Sequence, residues 1–305
     1  MGTFQARPCP VCGSAKRSSE PLRHRVPLQV AGIPAVFDAD EFALIRCNEC
    51  TLAYKAPVPP AQEIERCYRL AEAGHWAPPS PRARRFDELH ASIRKHHPSG
   101  RVLDVGCSAG DFLDYLPQDY EKFGIEPGEH AATMAASRNI TILGPTVESL
   151  GDWRGEPFDV VVAFDVLEHV AEPLPFLSAL RKVLAADGVV CLLTGNTDCA
   201  GWRLEGGDYW YAALPEHLVF FNQTSLQHAA ARSGLELVEF RTARHSREPV
   251  KRLVSETLRN SAYIAAQRSR MAAHFGDTFN RSAPVWHSGR NHFVAVLRPS
   301  QSRAD

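Results

Sequence analysis

The sequence predicts an α/β protein, a seven-stranded parallel sheet flanked by helices on both faces and preceded by a small cysteine-bearing module. Three observations carry that expectation. Short apolar runs alternate with helical patterns from residue 101 onward, two Cys-x-x-Cys pairs fall within the first fifty residues, and the composition is that of an ordinary globular chain, 44% hydrophobic and 23% charged. A length of 305 residues accommodates one full-sized domain plus a smaller one. No run of about 18 apolar residues occurs, which argues against a membrane-spanning helix. The N-terminus lacks the apolar core of a secretory signal, so a cytoplasmic protein is expected.

Residues 1–73 form the first unit. Cys9-Pro-Val-Cys12-Gly13 and Cys47-Asn-Glu-Cys50 each read as a tight turn aiming two sulfurs at one point, with a strand-like run at 42–46 entering the second. Four thiolates from two such turns suit a tetrahedral zinc ion; a redox dithiol would need only one pair. The 34 residues between the pairs exceed the roughly 15–20 usual for such sites, so they contain an insertion. With four protein ligands the site is closed, and the metal is expected to hold the module together without performing chemistry. Cys67, Cys107, Cys191 and Cys199 are scattered and read as small buried residues. A short helical pattern runs through Tyr68.

Residues 74–100 follow as a Pro-rich linker (74–82) and a leading helix, in which Phe86, Leu89 and Ile93 share one face. The main domain comprises 101–240 with 291–298. Its strands are read at 101–105, 122–126, 141–143, 158–164, 189–193, 235–240 and 293–297. A helix is expected from 111 to 116 and another from Pro173 to 184, and Thr224 with Gln227 reads as the capping box of a third. Residues 241–290 are an insertion before the last strand, helical around 250–274.

Charge divides the chain unevenly. Lys+Arg against Asp+Glu number 14 and 10 in residues 1–99, 8 and 21 in 100–240, and 12 and 4 in 241–305. The acidic centre argues against a nucleic-acid groove, because phosphate binding needs clustered cations. A small-molecule partner is expected instead.

The chemistry begins at the turn after the first strand, Asp104-Val-Gly106-Cys-Ser-Ala-Gly110. Glycines there let backbone approach a ligand at a helix N-terminus, and Glu126, ending the second strand, stands where a ribose diol would be gripped. Dinucleotide-binding folds share these devices, but a G-x-G-x-x-G triplet for pyrophosphate is missing.

Residues 101–240 resemble the class I S-adenosylmethionine-dependent methyltransferases in three motifs of the right order and spacing, at 102–112, 158–170 and 180–188. The resemblance implies a seven-stranded Rossmann-like methyltransferase sheet with S-adenosylmethionine as cofactor. Asp104, Gly106 and Gly110 would shape the methionine pocket, Glu126 would bind the ribose, and Val147 and Glu148 would flank adenine. Phe164 and Asp165 would face the sulfonium. Methyl transfer to a hydroxyl or an enolisable carbon also needs a base, and His169 and His217 stand at the sheet's mouth for it. An alternative reading makes Glu168 and His169 a helix cap. Together with the four-cysteine module, the Glu216-His217-Leu segment is similar to that of sugar C-methyltransferases, which act on nucleotide-linked keto-sugars and use His, Glu and a nearby tyrosine. That implies roles for Glu216 and His217, and for Tyr211 or Tyr209 as the tyrosine, since position 214 is leucine where an aromatic hydroxyl would be expected. An rRNA or phenol and quinone acceptor, or a cofactor-binding scaffold without catalysis, are the alternatives.

Overall fold

The computed structural model describes residues 7–22, 28–37, 42–71, 86–151, 153–244, 250–269 and 289–300. The expected Pro-rich linker and the 270–274 end of the expected insertion helix lie outside them. In the N-terminal part, β1 (Arg17–Pro21), β2 (Gln29–Val30), β3 (Ile33–Pro34), β4 (Ala43–Cys47) and β5 (Ala53–Ala56) precede α1 (Ala61–Leu70). β1, β4 and β5 pair antiparallel, and β2 and β3 make a separate hairpin. Ala31 and Gly32 turn that hairpin, both at positive φ, the geometry that matches strand twist.

The remaining elements are α2 (Phe86–Arg94), β6 (Gly100–Val105), α3 (Asp111–Tyr115), β7 (Tyr120–Ile125), α4 (Glu129–Ala136), β8 (Thr141–Gly144), β9 (Phe158–Phe164), α5 (Pro173–Val183), β10 (Leu184–Gly195), α6 (Ala200–Glu205), β11 (Val219–Phe220), α7 (Gln223–Arg232), β12 (Leu235–Ala243), α8 (Val250–Arg268) and β13 (His292–Pro299). Seven of these strands form one sheet in the order β12-β13-β10-β9-β6-β7-β8. The sheet is mixed, not purely parallel as expected: β13 runs antiparallel to both β10 and β12. The cause is the insertion, which leaves from the carboxyl end of β12 and returns to that edge, so the chain re-enters the sheet heading the other way.

Period-two alternation builds the two faces. Val160 and Val162 of β9 pack on one side with Phe86, Leu89 and Ile93 of α2. Val161 and Ala163 pack on the other with Phe176, Leu177 and Leu180 of α5. The cap of α7 differs from expectation. Asn222 is the N-cap, its side chain accepting from the Ser225 amide while the Ser225 hydroxyl accepts from the Asn222 amide. Thr224 and Gln227 lie inside the helix.

β11 pairs with β5, Tyr54 opposite Val219, completing a second sheet in the order β1-β4-β5-β11. The module is therefore joined to the main domain by main-chain hydrogen bonds. It shares a core as well: Cys9, Val11, Leu52 and Tyr54 belong to the same buried cluster as α5 and α7. Among the described residues no helix is long and apolar enough to cross a membrane.

Candidate active site

The strand order of the large sheet reverses between the parallel neighbours β6 and β9, and in open α/β sheets ligands bind at the carboxyl ends on either side of such a switch. A cavity of about 720 Å³, open solvent included, lies there. Asp104, Gly106 and Ser108 line it from the β6 side, Phe164 and Asp165 from β9, and Phe86 covers it from α2. Gly106 has φ +79 and a Cβ there would meet Val166 at 2.6 Å, so only glycine fits. Ser108 also adopts positive φ (50), and its amide donates to Glu126 Oε2 at 2.8 Å. Glu126 Oε1 accepts from the Gly128 amide at 2.8 Å. Burial raises the Glu126 carboxyl, and these two donors act against that. Each oxygen keeps a lone pair for a further donor such as a ribose hydroxyl. The donor set and the glycine cradle thus fit an adenosyl ligand. Glu148 is exposed on a 3-10 turn, Val147–Leu150, and is not among the residues that line the cavity.

Asp165, at φ +54, joins this cavity to a buried polar cluster. Its carboxylate lies 3.8 Å from His292 Nε2, and the His292 ring packs edge-on against Tyr211 at 5.3 Å. Tyr211 donates its hydroxyl hydrogen to Glu168 Oε1 and accepts from the Gly195 amide. Gly195 has to be glycine, because a Cβ would sit 2.2 Å from the Tyr211 ring. Thr194 donates to the other Glu168 oxygen at 2.7 Å. Burial, with the Asp165 charge nearby, raises Glu168 to about 7.

The two histidines expected as bases meet here, with ring centroids 4.7 Å apart. His217 Nδ1 lies 3.0 Å from the Tyr211 carbonyl, which only accepts, so the proton sits on Nδ1 and Nε2 carries the lone pair. Burial drives the His217 imidazole well below its ordinary pKa, helped by His169 and Lys55. His169 Nδ1 faces the Glu216 carbonyl at 3.1 Å and the Tyr68 hydroxyl at 2.8 Å, and burial lowers this imidazole also. Glu168 and His169 occupy the 3-10 turn Leu167–His169 before α5, whose N-cap is Glu172; no side-chain cap is formed. The structure thus gathers His217, Glu216, His169 and Tyr211 into one cluster beside the cavity; none of them is among the residues lining it. Sequence reasoning missed Tyr68, Lys55 and His292. The one available signal was a lysine inside the apolar run LAYKAP.

In the module, Cys9 and Cys50 Sγ lie 3.5 Å apart and Cys12 and Cys47 Sγ 3.4 Å apart, with all four within 4.8 Å. Tetrahedral zinc with bonds of about 2.3 Å puts its sulfurs about 3.8 Å apart, so the donor set fits that ion.

Residues 74–240 match a family model described as a methyltransferase domain. That is over half the chain, and the chain belongs to this family, with the class I S-adenosylmethionine-dependent methyltransferase fold. The ubiquinone biosynthesis O-methyltransferase of Cereibacter sphaeroides (strain ATCC 17029) is 35% identical over 109 residues, 32% of this chain and 41% of that protein. Its namesake from Bartonella quintana is 26% identical over 153 residues, 46% of this chain and 61% of that one. The chain spans about half the length of the curated relatives it matches. Among solved structures, a chain from the Haloferax volcanii complex between the Trm112 methyltransferase activator and a methyltransferase aligns with a TM-score of 0.50 at 11% identity, covering 72% of this chain and 90% of that chain.

Proposed function

We propose that this protein transfers a methyl group from S-adenosylmethionine to a small polar acceptor, with His217 removing the acceptor's proton. The observation that carries this reading is a neutral, buried imidazole whose Nδ1 is committed to the Tyr211 carbonyl, leaving Nε2 as a base in the polar cluster that Asp165 joins to the cavity. S-adenosylmethionine supplies, when bound, an electrophilic methyl group on a sulfonium. Asp104, Gly106, Gly110 and Glu126 would hold it, with Phe164 and Asp165 at the sulfonium end. The chain's own contribution is alignment and proton removal, the two things an in-line displacement needs from its enzyme. His169 shares the cluster, with Tyr68 and Glu216 fixing its ring.

A nucleotide-linked sugar is the acceptor this reading favours. Its support is the motif likeness described above and the excess of cations at an opening next to the cavity, where Arg244 and Arg290 lie with Arg241, itself paired to Glu88 and Glu239. The second reading is O-methylation of a phenol or quinol, favoured by the relatives' printed names. A zinc ion on Cys9, Cys12, Cys47 and Cys50 would be structural. Incubating the protein with methyl-labelled S-adenosylmethionine and panels of nucleotide keto-sugars, catechols and quinols tests the acceptor. Label in the sugars supports the first reading and label in the phenols the second. Absence of cofactor binding by calorimetry would remove both.

A further inference from the structure

We propose that Lys55 is a positioning residue for positions 214–217, the contact through which the cysteine module governs the acceptor side of the site; this rests on the methyltransferase reading above. Lys55 is fully buried, where a lysine is rarely found unless its ammonium is partnered. Its Nζ donates to the Leu214 carbonyl and, at 3.4 Å, to the Pro215 carbonyl. The Leu214 carbonyl also accepts from the His217 amide at 3.2 Å. One lysine thus braces the turn that presents His217.

The main chain supplies the other half of the clamp. The Lys55 amide donates to the Leu218 carbonyl at 2.9 Å, and the next rung pairs Tyr54 with Val219. Lys55 follows Cys50 by five residues on the same hairpin, so the cysteine cluster fixes the strand from which it projects.

Lys55 is also one of the groups that favour the ionised form of Glu216. That side chain is buried, and its Oε2 has no hydrogen-bond partner among the described residues. Burial raises the Glu216 carboxyl, while His169, Lys55 and the Ala31 amide favour its ionised form. Cys67 and Tyr68 of α1 feel its charge; Glu168 and Asp165 lie in the same cluster, and His217 is its neighbour in the chain. Burial in turn pulls the Lys55 ammonium down to about 7, with Glu216 opposing that. Lys55 and Glu216 therefore stabilise each other's charged forms across the boundary between module and domain.

The test compares wild type with Lys55→Met, Lys55→Gln and Lys55→Arg in the full, metal-loaded chain. Carbon-13 labelling of glutamate side chains follows the Glu216 carboxyl between pH 4 and 9, its resonance assigned by its loss in Glu216→Gln. The expected result is an upward shift of the Glu216 titration by at least one pH unit in Lys55→Met and Lys55→Gln, and by less than half of that in Lys55→Arg. Turnover should fall at least tenfold in the two neutral variants, with S-adenosylmethionine affinity within twofold of wild type. Should Lys55→Met fail to fold, Lys55→Gln keeps a donor for the carbonyls, and the Lys55 titration in Glu216→Gln must fall reciprocally. An unmoved Glu216 titration in a folded neutral variant overturns the proposal. Because the titration needs no acceptor, it stands apart from the reaction itself; wild type that neither binds S-adenosylmethionine nor turns over would overturn the methyltransferase reading instead.

Discussion

The His217 ring is held from Nδ1 by the Tyr211 carbonyl, and His217 is not among the residues that line the cavity. His217→Ala should therefore leave S-adenosylmethionine affinity within about twofold by calorimetry and lower turnover by about 10²–10⁴, the scale of a lost general base. Unchanged turnover would remove His217 from the chemistry. The direction of its pKa also sets a pH dependence. An imidazole acts as a base above its pKa, and this one is displaced downward, so the acid limb of kcat/KM should fall below pH 6.5, the ordinary histidine value. Glu126 tests the cofactor side. Glu126→Gln removes a charged acceptor shared by the Ser108 and Gly128 amides, and S-adenosylmethionine affinity should drop about 10–100-fold, as for a lost hydrogen bond to a charged group. These cofactor-side positions were legible because Asp104, Gly106, Gly110 and Glu126 belong to local patterns, a glycine turn and two strand ends. Tyr68 and Lys55 were not. Each reaches the site from the module, across more than a hundred residues of chain, and no local spacing encodes such a meeting.

At the scale of elements, the strands came from runs of apolar residues, and the structure places a strand at each of the seven positions read. What failed was direction and capping. The sense of β13 depends on where a long insertion begins and ends, which apolar patterning does not carry. The cap of α7 falls two residues before the Thr224 pattern, because Asn222 sits in extended backbone while Thr224 already lies inside the helix. Asn222→Ala should cost about 0.5–2 kcal/mol in urea denaturation, the usual range for a lost N-cap. Asn222 Oδ1 also accepts from the Thr51 hydroxyl at 3.0 Å. Thr51 adopts φ +65, where a β-branched residue is strained, so this bond helps hold the end of the second cysteine turn in place.

For the whole molecule, the relevant fact is a core shared between module and domain. Metal analysis should find about one zinc per chain, and Cys12→Ser should abolish it. Stripping the ion should then alter more than the first seventy residues: near-ultraviolet circular dichroism should report loosened tyrosine and tryptophan packing around Tyr54 and Tyr211. A metal-free protein with an unchanged spectrum would show the cysteines to be ordinary core thiols. The pairing of Tyr54 with Val219 reaches further still. During synthesis β5 leaves the ribosome long before β11, with the five strands from β6 to β10 made in between. Until Val219 and Phe220 arrive, the hairpin waits with one edge open, so a nascent chain stalled short of them presents a template for stray strand addition.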